Sequence, residues 1–146
     1  MRNNLSCSSA SELQQEGPRI RISISAPQEE IEIGGAFAIE YPEPLSVVAL
    51  IDTGASLTVI NPELVQSCRL TQTGFTKISS AGNIGDFPTF AAHIEFPGHN
   101  LRGFEIIPVV ACKLPQQSIS CLIGRDILRR WRFTYNGRTG EVSVMD

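Results

Sequence analysis

The sequence lacks any apolar run of the about 18–20 consecutive residues that a membrane-spanning helix needs. Residues 1–17 are polar and lack the apolar stretch of a secretory signal. We therefore expect a cytoplasmic protein with no membrane partner. An excess of positive charge is also absent, because the formal net charge is −3 at pH 7. Electrostatics thus give no reason to expect a nucleic-acid partner.

Patterns typical of metal sites are missing as well. The four cysteines form no CxxC pair, and neither of the two histidines lies at a spacing that would complete a zinc site. We expect free thiols and neither a metal nor another cofactor. A disulfide between Cys112 and Cys121 across a hairpin is left open by the sequence.

The chain has no internal repeat, and its 146 residues have the length of a single domain. Residues 1–17 contain only Leu5 and Leu13 as sizeable aliphatic side chains. Such a segment cannot bury enough apolar surface to offset the entropy of ordering, so it predicts a flexible polar tail. The folded domain is predicted to span residues 18–146.

Short strands dominate the folded part. Isoleucines alternate with polar residues over 19–25, and Ile31–Ile33 repeats that pattern, which is the period of a half-buried strand. Residues 47–51 are continuously apolar and predict a strand covered on both faces. A hairpin is predicted from Phe75 to Phe96, with a glycine-containing turn at 81–85.

Further apolar strands are predicted near residues 104–110 and 119–123, and an alternating hairpin follows Trp131. Helix-start chemistry appears at Asn61-Pro62-Glu63 and again after Gly124. Many short strands with glycine and proline turns predict an all-β fold, a closed or partly closed barrel with one or two short helices.

The chemistry is concentrated at Asp52, which follows the apolar run and precedes Thr53 and Gly54. Burying a polar group without a hydrogen-bond partner costs on the order of 2–7 kcal/mol, and burying a charge costs more. A carboxylate at the end of a buried strand therefore needs neighbouring groups that bond to it. Gly54 has no Cβ, so the main chain there turns tightly and brings N–H groups near the carboxylate. Thr53 adds a short, stiff hydroxyl. The pattern indicates an acid held rigidly at a loop tip.

A single carboxylate has no partner with which to share a proton. Two carboxylates about 3 Å apart cannot both ionise, so one acts as a base while the other stays protonated. The sequence contains one Asp-Thr-Gly, so the second Asp52 must come from another copy of the chain. A C2 homodimer is the simplest solution.

Two segments carry a family resemblance. Residues 47–60, VVALIDTGASLTVI, and residues 121–128, CLIGRDIL, resemble the two signatures of retropepsin-like aspartic proteases, the viral-type homodimeric relatives of pepsin. The order and approximate spacing of the two segments match that family, and the similarity spans residues 18–146. The resemblance implies a retropepsin-type barrel with a flap hairpin and an aspartic endopeptidase that acts on polypeptides.

The resemblance also implies a role for each matched residue. Asp52 is the catalytic acid and base, and Thr53 takes part in the hydrogen bonds that hold the two active-site loops together. Gly54 helps to fix the loop, which Ala55 and Ser56 complete.

Two further sets follow from the same resemblance. The flap consists of Ala81, Gly82, Asn83, Ile84 and Gly85, which close over an extended peptide. The segment beneath the active site consists of Leu122, Ile123, Gly124, Arg125 and Asp126, in which Arg125 is structural and not catalytic.

Two alternatives stay open at this point. The glycines of the 81–85 segment are also compatible with an ordinary hairpin turn. The whole chain is compatible with a catalytically silent module of the same fold that dimerises or binds peptides. The intact Asp52-Thr53-Gly54 sequence favours the enzyme, because a purely structural module has no need of paired acids.

Overall fold

The structure is a computed structural model, and it describes residues 1–5, 9–80 and 83–146. Ten strands and four short helices lie within these ranges. The strands are β1 (Asn3–Leu5), β2 (Arg19–Ser25), β3 (Leu45–Ile51), β4 (Val59–Ile60), β5 (Thr71–Ser80), β6 (Asn83–Glu95), β7 (Phe104–Ala111), β8 (Cys121–Ile123), β9 (Arg132–Asn136) and β10 (Glu141–Met145). The helices are α1 (Ala10–Glu16), α2 (Gln28–Ala36), α3 (Glu63–Ser67) and α4 (Arg125–Leu128).

The main sheet has seven strands in the order β2-β3-β8-β4-β7-β6-β5. Strand β2 also pairs with β6, so the sheet closes on itself into a ring and β5 extends outside it. Two of the pairings, β3 with β8 and β4 with β7, are parallel. The prediction of a mostly β fold that closes on itself is confirmed.

The core lies inside this ring. Alternating isoleucines of β2, namely Ile20, Ile22 and Ile24, are at most 3% exposed. They pack with Ala92 and Ile94 of β6. The period-2 pattern of β2 therefore has the physical cause that the sequence indicated, because every second side chain points into the ring.

Strands β1, β10 and β9 form a separate three-stranded sheet in that order. Val142 and Val144 of β10 are almost fully buried, and they stand opposite Tyr135 and Phe133 of β9. Directly opposed residues of an antiparallel pair share a face, so these four side chains lie on the core side of the small sheet.

The first part of the chain differs from the flexible tail that its composition predicted. Asn3 to Leu5 pair with β10, and α1 follows, capped by the Ser9 hydroxyl, which accepts a hydrogen bond from the Glu12 N–H. Both aliphatic side chains of this segment, Leu5 and Leu13, are buried in the core. Composition shows only that a segment has few apolar residues. In this segment both of the large ones are buried against the rest of the fold. The predicted boundary between residues 1–17 and a domain of residues 18–146 stays a prediction.

The predicted strand at Ile31–Ile33 is wrong, because these residues belong to α2. Two isoleucines at i and i+2 satisfy a strand period over too short a window to exclude a helix. In the helix they point in different directions, so Ile31 packs on the core while Ile33 is exposed. With α1 and α2, the described ranges contain four helices instead of the predicted one or two.

Cys68, Cys112 and Cys121 are free thiols, so Cys112 and Cys121 do not form the disulfide that the sequence left open. Burial raises the pKa of Cys68 to about 11. Burial, with a smaller contribution from the charge of Asp126, also raises the pKa of Cys121. Thiolates are the reactive form of cysteine, so both side chains act as small apolar core residues.

No helix in the described ranges is long and apolar enough to cross a membrane. The same part of the chain holds no group of three or more histidine, cysteine or acidic side chains arranged to bind a metal ion.

Candidate active site

The loop that contains Asp52 connects β3 to β4 and passes over the end of strand β8, which lies between them. Strand β8 lies between β3 and β4 and pairs with both of them. The chain leaves β3 at Ile51, forms the loop over residues 52–58 and returns as β4 on the other side of β8. Both ends of the loop are therefore fixed to the same strand, which limits its movement.

The Asp52 carboxylate is oriented by its own loop. The Gly54 N–H donates to Asp52 Oδ1 over 2.8 Å, and the Asp52 N–H donates to the Ile123 carbonyl over 2.9 Å. A Cβ added at Gly54 would lie 3.1 Å from Asp52 Oδ1, so a side chain there would crowd the acid. Asp52 itself is partly exposed, and Thr53 and Gly54 are exposed. The loop thus presents an oriented carboxylate to solvent.

Arg125 fixes the tip of the loop from below. Its Nη1 donates to the Thr53 carbonyl over 2.7 Å, and its main-chain N–H donates to the Ala55 carbonyl over 2.8 Å. The Ala55 N–H in turn donates to the Asp52 carbonyl. Arg125 therefore occupies the position of a structural hydrogen-bonding residue, and its guanidinium contacts the main chain of the loop. Ser56 lies exposed at the far side of the loop.

A second set of hydrogen bonds connects the loop to α4 through Thr58, a residue that the sequence patterns did not identify. The Thr58 hydroxyl donates to Asp126 Oδ1 over 2.8 Å and accepts from the Gly124 N–H over 3.2 Å. The Thr58 N–H donates to Asp126 Oδ2 over 3.0 Å. Thr58 is fully buried, and a buried polar group needs such partners. A threonine inside the apolar run 57–60 was the signal that could have identified it.

Thr58→Val should destabilise the protein by about 1–3 kcal/mol, because it leaves the buried Gly124 N–H unpaired and removes a donor to Asp126. Thr58→Ser keeps the hydroxyl and loses one methyl group, which should cost about 1 kcal/mol. Urea denaturation of the three proteins measures both differences. A Thr58→Val protein at least as stable as Thr58→Ser would contradict the role of this hydroxyl.

The segment formed by Leu122, Ile123 and Gly124 lies next to the loop, and the Ile123 carbonyl accepts the Asp52 N–H. Ile123 is fully buried, and a Cβ at Gly124 would lie 2.5 Å from the carbonyl carbon and oxygen of Leu57. The loop and the β8–α4 connection therefore touch through main-chain atoms. Only glycine leaves room for that approach.

The predicted hairpin is formed by β5 and β6, which pair from Thr71 to the Ser80–Asn83 pair. Ala81 and Gly82 lie outside the described residues. Near the tip, Ile84 is 87% exposed and Gly85 has φ +155°. Ile84, Gly85 and Lys77 border a cavity of about 340 Å³. An isoleucine this exposed at the end of a two-stranded arm is available for contact with another molecule.

The shaft of the hairpin packs near the loop. Ile78 of β5 and Phe87 of β6 pack against the same small apolar cluster as Leu50, Leu57 and Leu122. This cluster links the strand that precedes Asp52 to the arm that carries Ile84. The structure thus brings together three segments that are separate in the sequence.

A cavity of about 360 Å³ adjoins Asp52 and Thr53 on another side. Its walls come from the two residues just before β2, the end of β3 and one face of β9. The remaining lining residues are Gly17, Pro18, Leu50, Ile51, Phe133 and Tyr135. A carboxylate beside a largely apolar wall is suited to acid–base chemistry, but one carboxylate supplies only half of a proton-sharing pair.

The fold defines the class of protein. Its architecture matches the crystal structure of a retropepsin-like aspartic protease from Rickettsia conorii with a TM-score of 0.53 and 12% sequence identity. The match covers 99% of this chain and 89% of that chain. At this identity the likeness shows a shared retropepsin-like fold.

The family follows from the sequence itself. The model of the family described as "gag-polyprotein putative aspartyl protease" matches residues 43–130. That segment includes both the Asp52 loop and the 121–128 motif and makes up more than half of the chain, so the chain belongs to this family. No curated protein matches the sequence. The predicted retropepsin-like membership is confirmed.

Proposed function

We propose that this protein is an aspartic endopeptidase, in which two Asp52 carboxylates, one from each subunit of a homodimer, activate a water molecule. The observation that carries the proposal is the oriented, solvent-facing Asp52 carboxylate, with Gly54 donating to one of its oxygens. Membership of an aspartyl protease family supports the same chemistry. One chain supplies one such acid, so the site is complete only with a second copy.

The chemistry follows from the sharing of one proton. The ionised carboxylate removes a proton from the water, and the oxygen of that water attacks the scissile carbonyl carbon. The protonated carboxylate of the other subunit hydrogen-bonds to the carbonyl oxygen and transfers its proton to it as the new C–O bond forms, which gives a neutral tetrahedral diol. The carboxyl that took the proton from water then passes it to the amine nitrogen as the C–N bond breaks, and the other carboxylate takes back a proton from one hydroxyl of the diol as the C=O bond of the new acid forms. The two acids titrate as a pair with two macroscopic pKa values.

The substrate is an extended polypeptide that lies between the Asp52 loop and the β5–β6 hairpin. An extended chain is able to add to the hairpin as a further strand through main-chain hydrogen bonds. The exposed Ile84 would cover the peptide from the tip of the arm, and the apolar cluster around Leu50 and Leu57 would receive its side chains. In this role the hairpin acts as the flap.

The test is cleavage of a proteome-derived peptide library from about pH 3 to pH 7, read by mass spectrometry. Wild-type protein should produce defined new termini, and Asp52→Asn should produce none. Cleavage that persists unchanged in Asp52→Asn would refute the assignment of Asp52. Wild-type protein that retains extended peptides without cleaving them at any pH would instead identify the catalytically silent peptide-binding module.

Specific activity should fall on dilution, because half of the site comes from each chain and dissociation removes the pair. At a protein concentration about tenfold below the dimer dissociation constant, most chains are single and inactive. A dilution series with a fluorogenic peptide measures this, and sedimentation at the same concentrations gives the dimer fraction. Activity that stays strictly proportional to protein while the chains are single would contradict the shared site.

A further inference from the structure

The C-terminal end of helix α2 carries an exposed apolar row. Ile33 and Phe37 are 56% and 76% exposed and stand four residues apart. Side chains at this spacing are neighbours on a helix surface. Ile39 is exposed as well, so three of the eight large apolar side chains that are exposed in the described ranges lie within residues 33–39. Single exposed apolar residues are ordinary, whereas a group of them marks a contact surface.

The end of α2 is held in a fixed conformation. The Ile39 N–H donates to the Gly34 carbonyl over 2.8 Å, which folds the chain back onto the helix. A Cβ added at Gly34 would lie 2.5 Å from Tyr41 Cε2, so the Tyr41 ring packs directly against the helix. The Arg69 guanidinium lies over the same ring, 5.6 Å from its centroid. These contacts hold the turn that follows Phe37, so the exposed ring stands on an ordered support.

The segment around this row is strongly acidic. Residues 27–44 contain no lysine or arginine and five glutamates, which are Glu29, Glu30, Glu32, Glu40 and Glu43. Their summed charge is larger than the net charge of −3 of the whole chain. None of the five forms a salt bridge with another residue that the structure describes. The negative charge of the segment is therefore not neutralised by paired side chains.

Helix electrostatics explain only part of this charge. Glu29 and Glu30 lie in the first turn of α2, where acidic side chains interact favourably with the helix dipole. The other three glutamates lie outside that turn. Arg69 donates to the main-chain carbonyl of Glu40 and not to its carboxylate. Like charges that lie close together are destabilising, so most of this charge has no role within the chain itself.

The acidic segment lies far from Asp52. Helix α2 follows the end of β2 at which Ile24 pairs with Leu45. At the other end of the same strand pair, Arg19 pairs with Leu50, two residues before Asp52. Strand β3 separates these two ends by roughly 16 Å, at about 3.3 Å per residue. A second copy that brings two Asp52 side chains together therefore leaves the row on α2 uncovered.

The sign of the charge selects the partner. Nucleic acids and anionic membrane surfaces carry the same sign as the segment and are repelled by it. A symmetric contact with a second copy sets glutamates opposite glutamates, which is costly as well. A partner rich in lysine or arginine is attracted, and its apolar side chains are able to cover the exposed row.

We propose that the α2 surface, which consists of Glu29, Glu32, Ile33, Phe37 and Ile39, binds a basic amphipathic helix of another protein. Glu29 precedes Ile33 by four residues and continues the row. Side chains four residues apart form a ridge that packs into the groove of a second helix. The inference goes beyond the proposed function and holds whether or not the chain cleaves peptides.

A pair of designed peptides tests the chemistry of the partner. The probe is a fluorescently labelled helical peptide of about 18 residues, five turns, with leucine on one face and lysine on the other. The matched peptide carries glutamate in place of lysine. All proteins carry Asp52→Asn, so that the probe is not cleaved. Fluorescence anisotropy should show saturable binding of the lysine probe, weaker binding as salt is added, and no binding of the glutamate peptide.

Aromatic substitutions locate the contact. Phe37→Ser should raise the dissociation constant of the lysine probe by at least about tenfold, as expected for a central aromatic contact. Phe75→Ser is the matched control, since Phe75 is 70% exposed on β5, and it should change the constant less than about twofold. Both side chains are exposed, so circular dichroism should show that both variants are folded.

Charge reversal tests the acidic part of the surface independently. Glu29→Lys should weaken binding of the lysine probe by about three- to tenfold, because it replaces an exposed attraction with a repulsion. Glu141→Lys changes the net charge equally at an exposed position of β10 and should leave binding unchanged.

The outcomes separate this inference from the proposed function, since no cleavage is measured. Selective binding of the lysine probe that Phe37→Ser and Glu29→Lys weaken, and that both control variants keep, supports the surface. Equal weakening by the controls, equal binding of the glutamate peptide, or no saturable binding overturns it. Self-association of the protein that Phe37→Ser abolishes in sedimentation would show that a second copy covers the row, which also overturns the proposed partner.

Discussion

Replacing Asp52 with asparagine should lower kcat/KM for peptide cleavage by about 10²–10⁴-fold, the range that loss of a positioned acid–base group usually gives. Asparagine has nearly the shape of the acid, and its Oδ1 is still able to accept the Gly54 N–H. It cannot ionise at any working pH, so neither copy in the proposed dimer is able to act as the base. The loop should therefore keep its geometry and lose its chemistry.

The melting temperature separates a chemical loss from a structural one. Asp52→Asn should melt within a few degrees of wild type, because the Asp52 side chain is partly exposed and its loop is fixed through main-chain bonds. Glu43→Gln is the matched acid-to-amide control at an exposed position before β3, and it should keep wild-type activity. Residual cleavage by Asp52→Asn above about one part in 10² of wild type would mean that another group supplies the base.

Gly124→Ala should destabilise the protein by about 1–3 kcal/mol and lower kcat/KM by up to roughly 10²-fold, the effects expected of overpacking and of a misplaced reacting group. The new Cβ would lie 2.5 Å from the Leu57 carbonyl carbon and oxygen. These are main-chain atoms, so no side chain is able to rotate away and the backbone must shift. That backbone leads directly into the loop that carries Asp52.

Gly35→Ala is the control for this change. Gly35 lies in α2, and a Cβ there would meet nothing within 4 Å. Alanine is the better helix former, so this variant should gain about 0.5 kcal/mol. Chemical denaturation and peptide cleavage measure both variants. A Gly124→Ala protein with wild-type stability and activity would contradict the close approach of the two main-chain segments.

Local sequence patterns were sufficient where one element carries its own signal. The unbroken apolar run before Asp52 predicted β3, which the structure forms over Leu45–Ile51. Gly124 followed by Arg125 and Asp126 predicted the short helix α4. Alternation with a glycine turn predicted the β5–β6 hairpin. In each case the signal lies within the element itself.

Patterns failed where the window was short or the apolar residues were few. Ile31 and Ile33 fit a strand period but form part of α2, and the polar segment 1–17 contributes β1 and α1. Burial of Leu5 and Leu13 depends on a surface made by distant strands. No count of residues within the segment contains that information.

The sequence by itself determined which residue carries the acid, that a buried strand precedes it, and that a single chain holds one copy of the motif. Only the tertiary structure decided that Thr58 bonds to Asp126, 68 residues further along the chain, and that Phe133 and Tyr135 of β9 line the cavity beside Asp52. The physical reason is that turn chemistry and hydrophobic period act between near neighbours in the sequence. Strand order and buried hydrogen bonds depend on which distant segments pack around one core. That is determined by the closure of the main sheet into a ring, which involves all of its strands together.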